Sequence, residues 1–96
     1  MIKHSVETVL VNKFGVRTAV VYERLHDLCA EKARLNVDYH DGLFWVRMPC
    51  KEFRRVFPYM SGTTVSKAIK RLKDEGLVMV GHYDERNSLV NWYATT

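Results

Sequence analysis

PCKEFRRVFPYMSGTTVSKAIKRLKDEGLV, residues Pro49 to Val78, holds two helix patterns separated by a tight break. Pro49 suits the first position of a helix, where its missing N–H is no loss. Cys50, Phe53, Val56 and Phe57 make the apolar face of that short helix. Pro58 stops it, because a proline disfavours helix at the residue before it. After the three-residue connection PYM, Ser61 caps a second helix. At about 100° per residue, Val65, Ala68, Ile69 and Leu72 fall in one sector of it. Thr63, Ser66, Lys67 and Lys70 fall on the opposite side, and Gly76 is placed to end it.

Upstream, Ser5 caps a short helix whose face is Val6, Val9, Leu10 and Phe14, ended by Gly15. A longer helix follows over about 17–33, with Val21, Leu25, Leu28 and Cys29 at helical spacing. RLNVDYHDG (34–42) reads as a loop ending in an Asp41-Gly42 turn, and LFWVRM (43–48) as a strand. Downstream, 77–83 and 89–94 read as strands joined by the turn formers of DERNS. The order is helix, helix, strand, helix, turn, helix, strand, strand. It predicts an α+β chain: a winged helix-turn-helix of four helices with a small three-stranded antiparallel sheet, the last hairpin being the wing. Ninety-six residues, without repeats or a linker, fit one such domain over 1–96.

The net charge of +4 is concentrated. Residues 49–75 hold seven positive and three negative side chains, and the rest carry eight of each and cancel. A neutral body with one basic segment is the footprint of a polyanion binder. In a DNA-binding helix-turn-helix, side chains near the start of the second helix reach the major groove. Here these are Thr63, Ser66 and Lys67, with Lys70 and Arg71 a turn further on and Thr64 at the flank beside a phosphate. Lys51, Arg54 and Arg55 on the preceding helix would hold the DNA backbone. Arg86 at the wing tip would enter a minor groove or touch phosphate, with Asp84 and Glu85 repelled beside it. Phe44, Trp45, Trp92 and Tyr93 lie in strands, where alternate side chains go to the core, so at least one of each adjacent pair is structural.

Several classes are excluded. No GxSxG, P-loop or HExxH occurs, so no enzyme is expected. Cys29 and Cys50 read as reduced core thiols. The histidines 4, 26, 40 and 82 lack ligand spacing, so neither a metal nor a cofactor is expected. No run is long enough to span a membrane, and MIKHSVETVL has no signal-peptide core, so a cytoplasmic, soluble protein is expected.

From about Lys13 to Tyr93 the chain resembles the N-terminal winged-helix domain of replication-initiation proteins from phages, plasmids and other mobile elements of Gram-positive bacteria. The matching residues are KFGVRTAVVYERLH, HDGLFWV, VFPYMSGTTVSKAIKRLKDEGLV and the closing NWY at 91–93. The resemblance implies double-stranded DNA binding at an origin. It also implies replication proteins as partners, recruited through a region not in this chain. Relatives of this kind often carry an arginine pair where this chain has Ser66-Lys67. No Asn, Gln or Arg, the usual bidentate base readers, stands in the first turns of the helix. Two other roles fit the same residues: a small transcriptional regulator, or a winged helix used for protein contact without DNA. The oligomeric state is left open.

Overall fold

The computed structural model describes residues 12–86 and 89–96, with the Cys50 side chain outside the description. The expected first helix falls outside the described residues except for its helical end, 12–14. Gly15 follows at φ 88°, a conformation that favours a residue without Cβ. Helix α1 (Val16–Leu35) then buries Ala19, Val21, Tyr22, Leu25 and Cys29. It ends two residues later than the sequence pattern predicts, because Asn36 adopts the left-handed conformation. The Asn36 and Val37 amides donate to the carbonyls of Ala33 and Lys32, each at 3.1 Å, which closes the last turn in a Schellman motif.

Helix α2 (Cys50–Val56) begins one residue after Pro49, which is the N-cap and not the first helical residue as expected. Its extended ψ of 165° leaves it outside the helix. Helix α3 (Gly62–Asp74) starts where the sequence places it: the Ser61 hydroxyl accepts the Thr64 amide at 3.2 Å. It ends in a second Schellman motif with Gly76 at φ 78°, the Leu77 amide reaching the Leu72 carbonyl at 2.9 Å. Val65, Ala68, Ile69 and Leu72 are buried, and they form the packing sector read from the sequence.

The strands differ from expectation. The single strand over 43–48 divides at Trp45. Strand β1 (Tyr39–His40), inside the segment read as a loop, pairs antiparallel with β2 (Leu43–Phe44). Asp41 and Gly42 join them with φ of 52° and 83°, the two positive values a tight two-residue hairpin turn requires. Strand β3 (Val46–Arg47) instead joins β5 (Trp92–Thr95), which also pairs with β4 (Val78–Gly81). The architecture is therefore α+β with a two-stranded and a three-stranded antiparallel sheet, the latter in the order β3-β5-β4. Trp45 causes the division: its backbone N–H donates to the Asp38 carbonyl at 3.0 Å and its indole to the His40 carbonyl at 2.7 Å. Both bonds turn it back onto the hairpin.

Two cores result. The larger lies between the helices and one face of the three-stranded sheet, taking Val46, Val78 and Tyr93 from the strands. The smaller lies on the other face and holds Trp45, Val90, Trp92 and Ala94, with Leu43 and Tyr83 packed against it. Gly81 sits opposite Trp92 in register. A Cβ there would come within 2.7 Å of the Tyr83 ring and 3.1 Å of Trp45. Gly81→Ala is expected to lower stability by about 1–3 kcal/mol through overpacking, read as the shift in a urea unfolding midpoint at unchanged slope. An unshifted midpoint would show that these rings are free to move aside.

Candidate nucleic-acid interface

The exposed side of α3 carries Thr63, Ser66, Lys67 and Lys70, opposite the buried sector. Helix α2 carries Lys51, Arg54 and Arg55, all exposed. The two helices meet at an open groove of about 320 Å³, lined by Phe53, Arg54, Met60, Gly62, Val65 and Ser66. Arg54 of α2 and Ser66 of α3 thus line one groove. Its floor is apolar, and the start of α3 opens into it through Gly62. The first amides of a helix lack intrahelical partners and form the positive end of its dipole.

The cations are unequally free. Arg55 is paired with Glu52 on its own helix, its Nη2 at 2.6 Å from Oε2 and its Nε at 3.1 and 3.2 Å from the two oxygens. The Arg55 guanidinium holds the Glu52 carboxyl below the usual range. Arg71 leaves this side altogether. Its guanidinium lies 5.2 Å from the centroid of the Phe14 ring and donates to the Lys13 carbonyl at 3.3 Å. Thr64 is also committed, its hydroxyl 2.9 Å from that of Ser61 in the cap. Among the described residues, no ion pair engages Lys51, Arg54, Lys67 or Lys70.

Strands β4 and β5 are joined by residues 82–91, where Arg86 is exposed. Asp84, read from the sequence as an acid beside Arg86 that DNA would repel, is held by Arg47. The guanidinium donates through Nε at 3.0 Å to each carboxylate oxygen and through Nη2 at 2.8 Å. The Trp92 indole adds a fourth bond to Asp84 at 2.7 Å. The Arg47 bonds are the main cause holding the Asp84 carboxyl below its usual range, and partial desolvation acts in the opposite direction. Beside it, the Tyr83 hydroxyl donates to Asp41 at 2.6 Å, which pushes the phenol up to about 12. His40 stacks on Tyr83 at 4.3 Å between ring centroids.

Sequence reasoning missed this network. Arg47, Asp84 and Trp92 meet only through strand register, and Asp41 and Tyr83 lie 42 residues apart. His40-Asp41 carried no signal beyond a turn. Of the aromatic residues singled out in the strands, Trp45, Trp92 and Tyr93 are core, and Phe44 is half-buried against Tyr39. Cys29 is a buried free thiol pushed up by burial. Among the described residues, no group of three or more His, Cys, Asp or Glu side chains could hold a metal ion. None of their helices is long and apolar enough to cross a membrane. The chain matches no family model, no curated protein and no solved structure.

The phenol and the cap each make a measurable prediction. Because the folded Tyr83 titrates above its ordinary value of 10, its bond to Asp41 stabilises the fold fully below pH 10. That contribution is lost as pH rises toward about 12. Phenolate absorbance should show a tyrosine ionising near 12 that moves back toward 10 in Asp41→Asn; an identical titration in the variant would rule the bond out. Ser61→Ala, which removes the cap, should cost about 1 kcal/mol in denaturant unfolding, and a cost near zero would mean that α3 does not depend on it.

Proposed function

We propose that the protein is a winged-helix double-stranded DNA-binding protein, with α3 as its recognition helix and the β4–β5 hairpin as its wing. One observation carries the reading. Helix α3 buries Val65, Ala68, Ile69 and Leu72 and leaves Thr63, Ser66, Lys67 and Lys70 exposed, beside the exposed Lys51 and Arg54 of α2. A helix held by one face, with hydroxyls and lysines on the other, is suited to lie in a major groove. The resemblance of the sequence to mobile-element initiators supports replication initiation of a phage or mobile element as the role. Regulation of transcription would use the same surface, with a symmetric dimer on a palindromic site. A protein-contact role draws on a different surface, the exposed Leu35, Val37 and Tyr39 that run from the end of α1 to the start of β1.

In this reading Lys67 and Lys70 lie along the groove, where each neutralises a phosphate at its edge, and Lys51 and Arg54 hold the backbone from α2. Arg55 and Arg71 contribute less, since one is paired with Glu52 and the other packs on Phe14. Duplex binding followed by fluorescence anisotropy across a salt series tests the assignment. Lys67→Ala/Lys70→Ala should weaken binding and reduce the salt slope by roughly 1.8, about 0.9 for each phosphate no longer neutralised. Unchanged affinity and slope would sink the recognition-helix assignment. A wild type that binds no duplex at low salt would favour the protein-contact role.

A further inference from the structure

Early in the connection between β4 and β5, just after His82, two side chains turn back into the protein. Tyr83 lies against Trp45 and Trp92, with ring centroids 4.9 and 5.7 Å away, and its hydroxyl is tied to Asp41. The Asp84 side chain is only 14% exposed and is filled by donors from Arg47 and Trp92. The anchors come from three separate places: the β1–β2 turn, β3 and β5. The chain is thus tethered two residues before Arg86.

Two roles for Asp84 make opposite predictions. As a surface acid beside a DNA-facing arginine, it repels phosphate, and removing its charge raises affinity. As an anchor whose charge is already offset by the Arg47 fork, it presets the position of Glu85 and Arg86, and removing it lowers affinity. Presetting a binding segment reduces the ordering cost of association. The bidentate geometry supplies the directional hold that a single hydrogen bond would not.

We propose that Asp84 is a positioning residue of the wing, which, through Arg47 and Trp92, fixes the wing root so that Arg86 meets the duplex from a set position. The part concerning Arg86 rests on the DNA-binding reading; the anchoring does not.

Two variants test it. Asp84→Asn keeps an acceptor for the Trp92 indole and loses the charged fork. Arg47→Lys keeps every charge and loses only the fork geometry, so it serves also if the first variant fails to fold. Amide hydrogen exchange at Tyr83 to Arg86 reads the anchoring, and anisotropy on a duplex at fixed salt reads the consequence. Both variants should exchange faster at these amides and bind roughly threefold more weakly, Asp84→Asn doing so although a negative charge has been removed. Arg86→Ala should cost less affinity in either background than in the wild type. Unchanged exchange overturns the anchoring. Faster exchange with equal or tighter binding overturns the link to Arg86. If the wild type binds no duplex, the proposed function falls and takes the Arg86 link with it, while the exchange comparison still decides the anchoring.

Discussion

Strand β5 is buried on both faces, and the rest of the structure is arranged around that constraint. Tyr93 faces the helices, while Trp92 and Ala94 face away from them, and all three are buried. In antiparallel sheets, one face is commonly left to solvent. Here the outer face is covered by Trp45, Tyr83 and the β1–β2 hairpin, which explains why a small chain uses a second sheet at all. The register is specified from both sides. A slip of one residue would send Trp92 toward the helices and strip Asp84 of its indole donor.

The same constraint sets the shape of the candidate interface. Helix α1 is the platform against which β5 and α3 both pack. With α3 held by Val65, Ile69 and Leu72, its opposite side is exposed, and that side carries the hydroxyls and lysines. The cations of α2 and α3 are then sorted by their acids and rings. Arg55 goes to Glu52 and Arg71 to Phe14, while Lys51, Arg54, Lys67 and Lys70 stay outside such pairs among the described residues. A surface pair of this kind contributes little to stability. Its effect here is to leave the field to the lysines and Arg54.

What could be read from the sequence depends on the range of the forces involved. Helix α3 was legible in detail because its signals are local: Ser61 at one end, Gly76 at the other, and an aliphatic stripe between them. The Asp41-Gly42 turn was legible for the same reason, since both positions need positive φ. The division at Trp45 was not. Whether a run such as LFWVRM is one strand or two depends on what pairs with it, and its partners are 39–40 on one side and 92–93 on the other. The extension of α1 to Leu35 was missed because Asn36, rather than a glycine, supplies the left-handed cap. For the site, exposure on α3 followed from the helical angle, whereas the pairing of Asp84 with Arg47 required a register that two-residue strands do not announce.

These interactions also bear on how such a surface would discriminate between DNA sequences. The side chains nearest the start of α3 are short, and Thr64 is taken up by the Ser61 cap. Lys67 and Lys70 are point charges on flexible stems, suited to phosphates and single acceptors more than to the two-point recognition of a base edge. Of the guanidiniums on β3, α2 and α3, Arg47 is engaged by Asp84, Arg55 by Glu52 and Arg71 by Phe14, which leaves Arg54 at the groove outside such pairs among the described residues. In the proposed function, therefore, base readout from α3 is limited. Selectivity would come from groove width and deformability, sensed where the wing and helix touch the duplex together. That mode places a premium on the relative position of the two elements, which β5 fixes by joining the root of the wing to the core beneath α3.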